Sequence, residues 1–181
     1  MFKEPSFIHL RSDHWKSKKK ILLKLRESSI KYSSPDDNGI VTDYHRQLSE
    51  GICVYSQDLA EIFADELDAL CNILDVSVAK ITDSWFESSS KNVYHGVHNH
   101  GGDGYSAVCF LEYDDQEHGP TNFLSNSLSA LDNEPMIYTP SDVMEGDILF
   151  FPSNLLHYTE PNTSDTNRLV VSWNMKFYKV K

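Results

Sequence analysis

Between residues 57 and 74 the apolar side chains Leu59, Ile62, Phe63, Leu67, Leu70, Cys71 and Leu74 recur at spacings near three and four, which places them on one side of a helix. Asp58 followed by Glu61 has the form of a capping box that starts it. A shorter amphipathic pattern covers 14–28, where Trp15, Ile21, Leu22 and Leu25 stand among lysines, and 33–39 has the composition of a loop. From residue 79 the periodicity changes. Short apolar or alternating runs, separated by Gly, Asn, Asp and Pro, predict strands at 80–87, 93–99, 105–113, 121–124, 136–139, 147–151 and 168–178.

Helices first and then about seven strands imply an α+β fold with a β-sandwich or jelly-roll core. At 181 residues the chain has the size of one domain, expected as a mainly helical flanking segment over 1–78 and a sheet core over 79–181. A formal charge of -11 argues against nucleic acid or an anionic membrane as partner, since both reward clustered Lys and Arg. The one basic run, Lys16 to Lys20, reads as a solvated helical face. Met1–Pro5 opens no leader-like apolar run, and no stretch approaches the ~18 apolar residues of a membrane span, so a cytoplasmic protein is expected. Cys53, Cys71 and Cys109 are widely spaced and form no CxxC pair, which removes a disulfide framework and a thiolate zinc site.

The segment Tyr94-His95-Gly96-Val97-His98-Asn99-His100 carries the most chemistry. On a strand, the period of two puts His98 and His100 on one face, near enough to share an ion; His95 could replace either of them, but three residues from His98 it points to the other face of a regular strand. A third ligand must come from elsewhere, and His157 emerges just beyond the buried strand Ile148 to Phe151. Neutral imidazole suits iron, zinc, copper and nickel. The remaining histidines, His9, His14, His45 and His118, have no such setting and read as surface or satisfied residues. Arg168 opens the last, otherwise apolar strand. A buried guanidinium needs an anion: its plain reading is a salt bridge to an acidic side chain, and beside a metal histidine the alternative is a dicarboxylate co-substrate.

These residues resemble the 2-oxoglutarate- and iron(II)-dependent oxygenases, and within them the group with HxH in place of HxD. The resemblance covers about 84–174 and rests on Ser84-Trp85, His98-Asn99-His100, Ser106 to Leu111, Gly119-Pro120-Thr121-Asn122-Phe123, Gly146 to Ser153, His157, Asn167-Arg168 and Ser172-Trp173-Asn174. It implies a double-stranded β-helix (jelly-roll, cupin-like) core with Fe(II), 2-oxoglutarate and O2 as cofactors. It also implies His98 and His157 as metal ligands and Arg168 as partner of the distal carboxylate of 2-oxoglutarate. His100 falls where most of the superfamily has an acid. Either it is the third ligand, or a nearby carboxylate such as Asp103 is, or the position is open. The group's paired tyrosines are Cys109 and Phe110 here, so Tyr94, Ser172 or Asn122 are the candidates to hydrogen-bond the co-substrate.

The implied reaction is hydroxylation of a C–H bond on a small molecule or a peptide side chain, with release of succinate and CO2. Trp85, Phe123, Phe150 and Trp173 are candidates to line the pocket, and the segments 88–92 and 125–135 to set selectivity. Two other readings compete: a three-histidine cupin-type enzyme that needs no 2-oxoglutarate, and a non-catalytic β-sandwich binding module.

Overall fold

A computed structural model of the chain describes residues 7–129 and 131–179; Met1–Pro5 lies outside them. In chain order, the first part comprises β1 (Ile8–Arg11), α1 (Trp15–Ser29), β2 (Ser34–Pro35), β3 (Val41–Thr42), α2 (Tyr44–Glu50), α3 (Ser56–Ile62) and α4 (Ala64–Leu74). The strands β4 (Val78–Ser89), β5 (His95–His98), β6 (Tyr105–Glu112), β7 (Thr121–Leu128), β8 (Pro135–Tyr138), β9 (Asp147–Pro152), β10 (His157–Thr159) and β11 (Arg168–Tyr178) follow. They form a larger sheet in the order β1-β9-β6-β11-β4-β3-β2 and a smaller one in the order β5-β10-β7-β8, antiparallel throughout. This is the expected double-stranded β-helix with flanking helices.

Alternation along the central strands builds two cores on opposite faces of the larger sheet. In β9, Ile148 and Phe150 join Leu22, Leu59, Phe63 and Leu70 on the helical side, while Leu149 and Phe151 meet Phe123 of the smaller sheet between the layers. In β11, Leu169, Val171 and Trp173 face the helices, so Arg168, Val170 and Ser172 share the opposite, interior face. That one alternation carries the arginine into the sandwich.

The helical period over 57–74 is present but broken. Phe63, at φ -107° and ψ 26°, ends α3 and begins α4, and its fully buried ring packs stacked on Trp173 at 5.1 Å. The capping box does not form: α3 starts at Ser56 after Tyr55, with no side-chain cap, and Asp58 lies inside its first turn, where its charge still suits the helix dipole. The helices over 1–78 are accompanied by three strands. β1 pairs with β9, and β3 pairs with β4, so this segment closes both ends of the larger sheet as well as covering it. Buried Asp43 ties the loop before α2 to that sheet by accepting the Tyr55 hydroxyl at 2.6 Å and the Phe86 amide at 2.9 Å.

Candidate metal centre

His98 ends β5 and pairs across the smaller sheet with His157, the first residue of β10. Beyond β5 the chain is held by the His100 amide, which donates to the Ser153 carbonyl at 2.8 Å. The three imidazoles therefore meet. Their ligand nitrogens all lie within 4.8 Å of one another, and among the described residues this is the one such group of His, Cys, Asp or Glu.

Each ring is anchored through Nδ1. That of His98 donates to the Gly96 carbonyl at 2.8 Å, that of His157 to the Leu155 carbonyl at 2.9 Å, and that of His100 to Asn174 Oδ1 at 2.9 Å. Anchoring Nδ1–H leaves Nε2 as the lone-pair nitrogen on all three, the tautomer a metal ligand needs. The Nε2 atoms of His98 and His100 face each other at 3.3 Å. Two acceptors so placed repel unless a cation lies between them, and nitrogens at right angles on one ion, each about 2.1 Å from it, are about 3.0 Å apart. Burial and the neighbouring rings keep them neutral: burial, then His95 and His100, push His98 down to about 4, and burial, then His98 and His100, push His157 down to about 3. His100 is also lowered, by burial first. The donor set fits a first-row divalent ion.

Asp103, weighed as an alternative ligand, is 80% exposed and ion-paired with Lys176 at 3.2 Å; it is no part of the cluster. His95 departs from the alternation expected of a regular strand. Between β5 and β10 the register slips, four residues (His95 to His98) standing against three (His157 to Thr159), and the bulge stacks His95 on His98 with ring centroids 3.9 Å apart. Its Nδ1 lies 3.4 Å from Oε2 of Glu87, whose Oε1 accepts the Trp85 indole N–H at 2.7 Å. Burial works against that carboxylate's charge, but His95 and Trp85 outweigh it and hold Glu87 well below the usual carboxylate range. Glu87 went unseen in the sequence: an isolated acid in an alternating strand carries no signal, and only the pairing of β4 with β11 brings it opposite Val170.

Arg168 is buried, with Nη2 donating to Thr121 Oγ1 at 3.2 Å and the guanidinium over the Phe110 ring at 5.3 Å. Its Nε is buried without a partner, and no carboxylate lies within ion-pair distance of it among the described residues. The salt-bridge reading therefore fails. Burial lowers the guanidinium's pKa, and an arriving anion would offset that cost. A channel lined by Arg168, Ser172, Thr121, Val108 and Phe151 joins the guanidinium to the three histidines. It is narrow, about 20 Å³, with room for about one water, so a larger guest enters only as its side chains shift.

Ser172 lies in this channel, as its facing predicts, but Tyr94 and Asn122 do not. Tyr94 stands in the loop before β5, 45% exposed. Asn122 lies between Thr121 and Phe123 on the other face of β7, where its Oδ1 accepts the Thr139 hydroxyl at 2.6 Å. Thr121 is the residue in contact with the arginine. Of the aromatics, Trp85 and Phe123 border the site, 5.2 Å from the His100 ring and 6.0 Å from the His157 ring, whereas Phe150 and Trp173 belong to the helical side.

Residues 83–174 match a family model described as "Putative 2OG-Fe(II) oxygenase". The chain belongs to this family. It is an oxygenase that uses iron(II) and 2-oxoglutarate, and the histidine cluster and buried arginine lie within the matched segment. No curated protein matches its sequence. Among solved structures, the α-ketoglutarate-dependent epimerase SnoN from nogalamycin biosynthesis aligns with a TM-score of 0.69 at 16% identity, over 97% of this chain and 79% of that one. The collagen prolyl hydroxylase of Paramecium bursaria Chlorella virus-1 aligns with a TM-score of 0.59 at 11% identity, over 94% and 96%. EctD from S. alaskensis gives 0.64 at 15% identity, over 95% and 73%. At these identities the likeness is one of fold. No helix of the described residues is long and apolar enough to cross a membrane.

Proposed function

We propose that this oxygenase hydroxylates a C–H bond of a small molecule or a peptide side chain, with His98, His100 and His157 holding the iron and Arg168 holding the distal carboxylate of 2-oxoglutarate. The supporting observation is the convergence of three Nε2 atoms, each ring fixed through Nδ1, at one end of a channel whose other end is a buried guanidinium without an anion. When bound, iron with 2-oxoglutarate and O2 supplies the oxidant and leaves succinate and CO2 as co-products.

The chain's own residues orient and enclose. Arg168 and the Thr121 hydroxyl offer N–H and O–H groups to a carboxylate, and Ser172 offers a hydroxyl part-way along the channel. Val108, Val170 and Phe151 keep that wall dry, which strengthens every charge interaction inside it. Three neutral imidazoles leave the ion one unit more positive than a set with two imidazoles and a carboxylate, a difference that tunes its redox behaviour. The alternative of a three-histidine enzyme without 2-oxoglutarate keeps the histidines but gives Arg168 nothing to bind.

Anaerobic titration of the full chain with iron(II) and then 2-oxoglutarate tests the reading. A weak visible charge-transfer band is expected on the second addition, and its loss in Arg168→Ala. Folded, iron-loaded protein that develops no band refutes the assignment of these residues.

A further inference from the structure

A second cleft, about 430 Å³, borders His98 and His100 from the side formed by β3, α2 and β4. It is far roomier than the channel to Arg168 and has the size of a site for a metabolite or a single side chain. Its walls carry a definite chemistry. Glu87 and Asp36 present carboxylates, Tyr44 and Trp85 present an aromatic corner, and among the described residues no Lys or Arg lines it.

We infer that the prime substrate brings a cationic group, an ammonium or guanidinium on an apolar stem, into this cleft between the two carboxylates and the Tyr44–Trp85 corner. The inference rests on the reading of the histidine cluster as the iron site, because only then does a guest in this cleft lie beside the reactive centre.

Charge carries the argument. The Glu87 side chain is 14% exposed and engages His95 and Trp85 through separate oxygens, so it is fixed rather than swinging in solvent. Asp36 uses Oδ1 to accept the Asn38 and Ile40 amides at 2.9 and 2.8 Å, and among the described residues Oδ2 meets no partner. Glu87 and Asp36 together with His95 carry one excess negative charge when that ring is charged and two when it is neutral, so the sign of this wall, apart from His45 and the iron side of the cleft, does not depend on His95. An anionic substrate meets repulsion there, and a neutral one leaves Asp36 without a counter-charge, Glu87 being already engaged by His95 and Trp85. Tyr44 and Trp85, with ring centroids 4.9 Å apart and inclined by 60°, offer π-faces to a cation and apolar surface to its stem. The cation is the handle, and the stem is the part presented to the iron.

Calorimetry on the iron(II)- and 2-oxoglutarate-loaded full chain, kept anaerobic, tests this without turnover. The probes are N-acetyl-arginine methyl ester with its neutral isostere N-acetyl-citrulline methyl ester, N-acetyl-lysine methylamide with the norleucine analogue, and a capped heptapeptide with one central Lys or norleucine. Each cation is expected to bind about tenfold or more tightly than its neutral match. The preference is expected to shrink in Asp36→Asn, which keeps Oδ1 for the two amides and removes only the charge. Binding of the free amines points to a metabolite, and binding of the heptapeptide alone points to a polypeptide; both support the cationic class. Equal or weaker binding of every cation than of its isostere, in protein that shows the charge-transfer band, overturns the inference and leaves the iron site standing. Absence of the band brings down the site itself and the inference with it.

Discussion

Asn174 Oδ1 accepts the Nδ1–H of His100 at 2.9 Å and the Ser106 hydroxyl at 2.8 Å, and Ser106 Oγ itself lies 2.9 Å from that Nδ1, so one ring is oriented by an amide seventy-four residues away in β11 together with the hydroxyl it holds. The other two rings are held by backbone carbonyls two residues upstream of each, which no side-chain change removes. Asn174→Leu is therefore expected to weaken iron binding by about 10–100-fold, as loss of such a partner does elsewhere. Asn174→Asp keeps the acceptor and retains tight binding. Competition against a calibrated chelator reads both, and equal affinity for Leu and Asp variants would show that Asn174 does not orient His100 and that Ser106 suffices.

Arg168 separates function from stability. Burying a guanidinium with an unpartnered Nε costs free energy that an apolar side chain of similar length does not incur. Arg168→Met is expected to hold or raise the melting temperature of the metal-free protein and to weaken 2-oxoglutarate binding by about a hundredfold or more, given the ~3 kcal/mol or more lost with a buried charge-assisted pair. Iron affinity is expected to stay unchanged, because Arg168 touches Thr121 and Phe110 rather than the histidines. A large fall in melting temperature would mean that the arginine serves the fold.

The lowered histidine pKa values have a pH consequence for metal-free protein. His98 and His157 fall from 6.5 to about 4 and about 3 on folding, so below pH 6.5 the unfolded chain binds protons that the folded chain refuses. Stability is expected to drop as pH falls from 6.5 towards 4, and the loss ends only once the folded rings themselves titrate. His95 acts oppositely: burial lowers it but Glu87 raises it more, so its contribution is full below pH 6.5 and fades as pH rises above that value, whereas Glu87, lowered, adds stability that is lost only in acid. Thermal melts of chelator-treated protein from pH 4 to 8 check the sign. His157→Gln, which has no ring to protonate, is expected to flatten the acid limb.

Much of this site is legible in the sequence because strand alternation is simple physics. His157 follows an apolar run too short for a helix, and Arg168 begins one whose odd and even positions face opposite cores. What alternation cannot reveal is its own failure. The bulge opposite β10 brings His95 onto the face of His98, and Gly96 is the only mark of it in the segment, a signal too general to place the ring. The strands β2 and β3 are two residues each, and β1 and β10 four and three, too short for any period to register. Thr121 and Glu87 matter only through partners supplied by sheet pairing, so their neighbours Asn122 and Trp85 were the more conspicuous residues.

The turn before β9 decides how α1 meets the sheet. Gly146 adopts φ +92°, and a Cβ there would stand 2.7 Å from the Trp15 ring, whose indole N–H donates to Glu145 Oε1 at 2.9 Å. The same residue's amide donates to the Phe110 carbonyl at 2.8 Å and its carbonyl accepts the Ser12 amide, so the backbone is held on both sides and cannot retreat. Gly146→Ala combines unfavourable backbone with a clash against a rigid ring, together about 2–4 kcal/mol, or a fall of ~5–12 °C in melting temperature for a chain of this size. Gly51→Ala provides the control. Its φ of +64° carries the backbone term, but nothing lies within 4 Å of the added carbon, so about 1 kcal/mol is expected. Neither glycine contacts the histidines, so iron affinity of the folded fraction stays at the wild-type value in both variants. Equal losses at the two positions would mean that the Trp15 ring yields, and that α1 is not locked to the turn.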